Sequence, residues 1–517
     1  MLSKVMTATL LGLEAAPVMV ETDDHAGLPA LNMVGLASTT VKEAGERIRS
    51  AIGNTGYQFP CKRITINFAP AATKKEGSHF DLPIAVGILT ATDQVDCAQT
   101  QGYALLGELS LGGSVTRIKG AMPLVMGLKE HGAKRVVLPE ANVREASIVK
   151  GIELFPVRHL SQVVRFLQGE VKIPVFSPRE SLREAAGAPG REDYADVRGQ
   201  EHIKRIMVIC AAGLHGLLMV GSPGAGKSMM AKRLPTIMPR MSDREILEAT
   251  RIYSVAGHLS DKAPIISERP FRAPYQTISP RAFVGGGTTP APGEISFAHG
   301  GILFLDELLE FSRKNLEMLR QPMEEGVITI ARAGESVRFP SRFVLVAACN
   351  PCPCGYRGDP KRACSCSESQ LTHYLGKLSG PLLDRIDLQA TVPSAAYSHI
   401  AGAAEGGREA PPPTSSAQMK AEVEAAAAIQ KERYRKEAIA TNGELTPNLI
   451  RTYCKLSGEG ERLMEQAFEK MSLSARGYHK VLRVARTIAD LSQSGAIEVH
   501  HLAEALQYRQ TAGGFLR

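Results

Sequence analysis

Three runs of uninterrupted apolar residues stand in the middle of the chain: Leu217–Val220, Ile302–Leu305 and Val344–Ala348. Each gives way within two residues to glycine, acid or amide. Short apolar runs without alternation predict strands buried on both faces, the habit of a parallel sheet covered by helices. Residues 1–169 read differently, as strands and helices in turn. The stretch from Met1 to Glu21 reads as a strand, because Glu14 interrupts its apolar run. Residues 41–52 carry a helical period, and Arg63–Phe68 alternates as a half-buried strand. Residues 80–89 predict a buried helix opened by Asp81 as N-cap, with Pro83 in its first turn. A hairpin turning at Leu111-Gly112-Gly113 follows. Helices are expected near 123–131, 141–149 and 159–167, with strands at 134–139 and 152–157. Residues 170–195 are rich in Pro, Gly and charge and read as a linker between domains. Residues 196–395 form the α/β core. Residues 396–418 are Pro-rich, of low complexity, and expected to be flexible. Residues 419–517 are helical by period.

The chain has 517 residues, too many for one core, which agrees with several domains. No run of 18 apolar residues occurs, so no membrane span and no membrane partner is expected. The nine cysteines are odd in number and mostly solitary, as in a reduced cytoplasmic protein. The formal net charge of +8 suits a polyanionic partner, though the surplus is small for this length. Trp is absent and aromatics make up 5%, which argues against an extended base-stacking platform.

The run Leu217–Val220 leads into Gly221-Ser222-Pro223-Gly224-Ala225-Gly226-Lys227-Ser228-Met229 and then a helix-forming stretch. This is the G-x-x-x-x-G-K-[ST] pattern in the strand-to-helix setting it requires. Glycines let backbone N–H groups curl round phosphate oxygens, and the helix that follows aims its positive end at the same anion. Lys227 can reach the outer phosphates of ATP, and Ser228 can hold Mg²⁺. The run Ile302–Leu305 delivers Asp306 and Glu307 to the carboxyl edge of the sheet. There Asp306 is placed for the Mg²⁺ shell and Glu307 to polarise the attacking water. Cys352, Cys354, Cys364 and Cys366 put four thiols in a short Gly/Pro/basic loop. They can close a tetrahedral Zn²⁺ site of structural type, or remain free thiols or a redox pair. Cys349 reads as core. Arg385 stands between Asp384 and Asp387. It reads either as a surface ion pair with them or as an arginine finger for a γ-phosphate.

Residues 270–279, 284–308, 327–360 and 379–388, with the phosphate loop, resemble the AAA+ ATPases of the magnesium-chelatase-like, YifB/ComM type. The resemblance extends over nearly the whole chain. It implies an AAA+ core with a C-terminal helical lid, behind an N-terminal domain similar to that of Lon proteases. It implies that Asn350 is the sensor-one residue, that Arg476 contacts nucleotide from the sensor-two position, and that 257–299 holds a helix-two insertion. Residues 327–339 would be the pre-sensor hairpin with Gly334 at its turn. Arg332 and Arg338 flank that turn, either to meet DNA phosphates or as plain solvent-facing residues. Arg483 and Arg486 read as the solvated face of the lid helix. Two departures from the family are visible. Tyr275-Gln276 replaces a His pair. The Ser–Lys dyad of Lon enzymes falls on His79 and Met122, which cannot supply nucleophile and base, with Ser78 one residue away. An interaction or assembly role is therefore expected of the first domain, in preference to proteolysis. For the whole chain the resemblance implies a homohexameric ATP-driven helicase acting on single-stranded or branched DNA, promoting branch migration in natural transformation. A regulatory or chaperone-like ATPase and a chelatase-type metal-insertion motor are the alternatives.

Overall fold

A computed structural model of the chain describes residues 2–96, 100–177, 192–332, 335–359, 362–393 and 413–513, with the side chains of 332, 335 and 510–513 excepted. The turn expected at Gly334, residues 178–191 of the expected linker and residues 396–412 of the expected flexible stretch lie outside these.

Among the described residues, the N-terminal part folds round a seven-stranded sheet. Its order is Ala30–Val34, Arg63–Ala69, Glu14–His25, Ser3–Leu11, Ala104–Leu105, Arg135–Pro139, Glu153–Val157. Glu14–His25 runs against its neighbours and the other strands run together. The alternation read in Arg63–Phe68 is the register that buries Ile64, Ile66 and Phe68. The helix Asp81–Ala91 is buried along its whole length, so its sequence shows almost no polar face. Asp81 is not its N-cap. Phe80 holds that position, and the Asp81 carboxylate instead takes Arg47 Nε and Nη2, each at 3.1 Å. A buried acid with a bidentate arginine at hand gains more there than on a helix-end N–H.

The second sheet is parallel, in the order Phe271–Arg272, Ile302–Leu305, Val344–Cys349, Leu217–Val220, Leu388–Thr391. Leu217–Val220, Ile302–Leu305 and Val344–Cys349 are buried at every position, which is why their sequences do not alternate. Five C-terminal helices cover one side, the longest being Ser416–Arg433 and Ala475–Leu491. They share one apolar cluster with the sheet, in which Leu217 and Val346 pack with Val423, Leu482 and Ala485. Ser415 caps the first of these helices, so helix begins three residues inside the stretch read as flexible. Tyr194, at the end of the expected linker, is fully buried in the same cluster, and its hydroxyl donates to Met230 O at 2.8 Å. Arg486 corrects another expectation. It is 2% exposed, paired with Asp490, and donates to the carbonyls of Ser494 and Gly495. Its charge closes the C-terminal turn of the lid helix instead of facing water.

The two parts touch along the helix Asp243–Ala256 and the hairpin Val327–Arg332/Glu335–Pro340. Arg251 donates to Leu13 O, and Gly120 N to Ser254 O at 2.9 Å. Leu13 joins Ile252, Phe297 and Phe339 in one small apolar cluster.

Candidate nucleotide site

The carboxyl ends of three adjacent parallel strands meet at a cleft of ≈ 350 Å³. Leu217–Val220 feeds the glycine loop and the helix Lys227–Ile237. Ile302–Leu305 ends in Asp306-Glu307, and Val344–Cys349 ends in Asn350. Gly224 and Gly226 take φ of +79° and +87°, which a side chain would strain, and the loop curls at these two points.

Lys227 Nζ donates to Gly221 O at 2.6 Å, Ser222 O at 3.0 Å and Asn350 Oδ1 at 3.1 Å. Among the described residues, its ammonium is thus held over the loop by carbonyl and amide oxygens, with no carboxylate in hydrogen-bond contact. Burial pulls its pKa below the ordinary lysine value, a cost that an incoming phosphate removes. Ser228 Oγ donates to Asp306 Oδ2 at 2.6 Å, which brings together the two residues expected to share Mg²⁺. Glu307 N donates to Asp306 Oδ1 at 3.0 Å, and Glu307 itself sits at φ +51°, a strained setting for an acid. The Glu307 side chain is exposed and lines the cleft. Gly224, Ala225, Gly226 and Met229 line the same cleft, as does Pro223, while Gly221 and Ser222 supply the carbonyls that seat Lys227.

Arg385 and Arg476 do not line this cleft. Both are drawn to Glu324, at 2.5 Å and 2.7 Å. Arg385 is 8% exposed, donates to Pro381 O at 2.5 Å, and leaves its Nε without a partner among the described residues. The ion pairs expected with Asp384 or Asp387 do not form. Asp384 takes Ser474 and Arg509, and Asp387 takes Lys480. Glu324 was not legible as a partner. It is one acid in a polar helix, Arg320–Glu325, with no motif around it.

The hairpin register puts Thr329 opposite Arg338 and Ile330 opposite Val337. Position 332 therefore shares a face with Ile328 and Ile330, and position 338 lies on the other face. Arg338 is exposed. Tyr275 is 87% exposed.

Cys352, Cys354, Cys364 and Cys366 put their four sulfurs within 4.8 Å of one another. Cys354 Sγ lies 3.3 Å from Cys352 Sγ and 3.6 Å from Cys364 Sγ. Amides of Tyr356 and Ser365 draw the Cys354 thiol down to about 6. Cys349 is buried in the strand, as expected of core.

In the first domain, His79 is 3% exposed and bonded through Nε2 to Ala8 O at 2.8 Å, and burial brings it down to about 4. Met122 is fully buried among aliphatic side chains. Ser78 gives its hydroxyl to Glu108. Among the described residues no helix is long and apolar enough to cross a membrane.

Residues 193–400 match the family described as magnesium chelatase, subunit ChlI, residues 20–142 match subunit ChlI of Mg-chelatase, and residues 413–509 match its C-terminal region. Over 98% of its length the chain is 41% identical to competence protein ComM of Haemophilus influenzae, covering 97% of that protein. It is likewise 41% identical to protein YifB of Escherichia coli, again over 98% of this chain and 97% of the relative. A stretch of 135 residues, 26% of this chain, is 29% identical to 20% of the archaeal Lon protease of Methanocaldococcus jannaschii. With its mixed α/β architecture, parallel core sheet, Lon-like N-terminal part and helical C-terminal region, the chain belongs to the magnesium-chelatase-like AAA+ ATPases of the ComM/YifB family.

Proposed function

We propose that the chain is an ATP-driven, ring-forming helicase or translocase that promotes DNA branch migration during natural transformation and recombination. The observation that carries the ring is the place of Arg385. Its cleft already has Lys227 and Ser228, while Arg385 and Arg476 stand together outside it on Glu324. A cation so placed serves a γ-phosphate on a neighbouring chain, and a closed ring, a homohexamer, gives every site such a neighbour.

The arrangement supports the following division of roles. The glycine loop and Lys227 bind the phosphates of ATP. Mg²⁺ held through Ser228 and Asp306 would offset charge on the outer phosphates. Glu307 accepts a proton from the attacking water, and Asn350, already bonded to Lys227, orients that water. Arg385 and Arg476 stabilise charge as the phosphoryl group transfers.

DNA as the track is supported by the exposed Arg338 on the hairpin, the net charge of +8 and the likeness to a competence protein. The four clustered thiols support a structural Zn²⁺ beside the site. ATP and reduced thiols both fit the cytoplasm. The test is strand displacement on forked and four-way DNA with ATP, beside Lys227→Ala. ATP turnover that DNA neither stimulates nor couples to displacement would overturn the helicase reading in favour of a regulatory or chelatase-type motor.

A further inference from the structure

The loop that carries the four thiols lies against the phosphate loop, and two contacts join them. Ser222 Oγ donates to Asp359 Oδ2 at 3.0 Å. At Gly355, φ is +87°, and a Cβ would come within 2.6 Å of Pro223 Cδ. The Gly355 backbone therefore lies flush on the proline ring. Ser222 and Pro223 belong to the segment that cradles phosphate, whereas Gly355 and Asp359 lie between Cys354 and Cys364. The same loop starts two residues beyond Asn350, whose Oδ1 meets Lys227 Nζ.

We propose that a thiophilic divalent cation, Zn²⁺ by its donor set, held by Cys352, Cys354, Cys364 and Cys366 fixes the phosphate loop in its nucleotide-binding form. Loss of the metal then weakens nucleotide binding. The inference rests on the zinc reading of the cluster and adds its coupling to the ATP site.

The sulfur geometry fits. Sulfurs about 2.3 Å from a tetrahedral zinc stand about 3.8 Å apart, and three of the distances here are 3.3, 3.6 and 3.7 Å. Three sulfurs also receive backbone N–H groups: Cys366 from Cys354 and Cys352 from Arg357, each at 3.3 Å, and Cys354 from Tyr356 and Ser365. Such bonds orient thiolate ligands and spread their charge. The loop has little core of its own. Pro351, Cys352 and Gly355 are its buried members, and the described residues from Tyr356 to Cys366 are half-buried or exposed. A segment without a core takes its order from cross-links, and a four-ligand metal supplies one. Once the metal leaves, Gly355 and Asp359 lose their fixed place. Pro223 then loses its support and Ser222 its acceptor.

The experiment uses full-length protein purified without chelator. Zinc per chain is measured by elemental analysis, and affinity by fluorescence of a labelled ADP. About one Zn²⁺ per chain is expected. Stripping the metal should weaken ADP binding about fivefold or more, the lower end of ordinary coupling between sites, and added Zn²⁺ should restore it. Stripping can also loosen the whole domain, so Asp359→Ala is the second arm. It keeps all four thiols and removes the acceptor facing Ser222. Retained zinc with weakened ADP binding supports the coupling. If the protein carries zinc as purified, yet ADP affinity is unchanged both after stripping and in Asp359→Ala, the coupling is overturned and the zinc reading stands. Absence of zinc with all four thiols titrating freely overturns both.

Discussion

Replacing Arg385 by alanine separates the two roles that its position allows. If the residue is structural, the loss is the ion pair with Glu324 and the bond to Pro381 O. Glu324 is 42% exposed and keeps Arg476, so no charge is stranded. Arg385 is buried, but Glu324 is open to water and stays solvated after the substitution, so losing the pair costs about 1 kcal/mol. The bond to the carbonyl adds about 1 kcal/mol. Against a domain stability of about 5–15 kcal/mol, a loss of about 2 kcal/mol leaves nearly every chain folded. Turnover per folded ring would then be almost unchanged. If Arg385 is the finger for a neighbour's γ-phosphate, hydrolysis falls about 10³-fold or more while nucleotide still binds. The two outcomes lie far enough apart for steady-state phosphate release and a nucleotide titration to decide. Subunit mixing then tests the trans arrangement. A Lys227→Ala chain has a dead pocket and a sound finger, and an Arg385→Ala chain has the reverse. Mixed rings should recover activity that neither variant has alone. If the two variants assemble together and nothing is recovered, Arg385 is an ion-pair residue of Glu324 and the trans argument fails.

Three further outcomes are expected. Glu307→Gln keeps the shape of the site and removes the base, so turnover should fall by about 10²–10⁴ with nucleotide binding retained. Near-normal turnover would take Glu307 out of the mechanism. Arg338→Ala should weaken DNA binding for all sequences alike and make the salt dependence shallower by about one ion. A loss confined to particular sequences would assign Arg338 another role. His79, brought down to about 4 by burial, binds its proton less readily folded than unfolded. Its contribution is therefore complete above pH ~6.5 and is lost as pH falls toward ~4, roughly 3 kcal/mol in full. Asp81, pushed up to about 6 by burial, acts in the opposite sense over the same window. Urea midpoints at pH 7 and pH 5 should therefore drop less on acidification in His79→Gln than in the natural protein, and equal drops would refute the assignment.

What was legible in the chain is what its local pattern encodes. The phosphate loop, the acid pair and Asn350 each follow an apolar run, and a parallel sheet brings the ends of adjacent strands together. The elements of the first domain follow from alternation and helical period in the same way. What the sequence hid depends on contacts distant in the chain. Arg385 has acids on both sides in sequence, Asp384 and Asp387, yet its partner is Glu324, because the turn after the helix Gly380–Leu383 points its side chain there. Asp81 has the composition of a cap, but Arg47 from another helix outcompetes the local N–H groups. Arg486 looks like an exposed helix residue until Asp490 and the carbonyls of Ser494 and Gly495 fold back over it. The hairpin was implied by the family resemblance, but the separation of positions 332 and 338 onto opposite faces needed the pairing register.

That register has a mechanical consequence. The apolar face of the hairpin, Ile328, Ile330, Val337 and Phe339, is not free. Phe339 is fully buried with Leu13 of the first domain and with Ile252 and Phe297 of the motor. A Cβ at Gly12 would lie 2.4 Å from Val337 Cγ1, so the first domain meets the hairpin through bare backbone. Two residues beyond Ile252, the Ser254 hydroxyl is held by Glu145, a carboxylate 2% exposed that also takes Met122 N and Asn142 Nδ2. Burial raises the pKa of Glu145, and these donors are what let an acid sit there. A hairpin clamped in this way cannot swing as a loose arm. Its exposed edge, with Arg338, moves relative to the sheet only if the Leu13 cluster opens or the first domain moves with it. The cost of opening that cluster is the burial of two phenylalanines and two aliphatic side chains, several kcal/mol at roughly 1.5–3 each. The helix Asp243–Ala256 holds the same domain through Arg251 and Ser254, so hairpin, helix and first domain are fixed to one another.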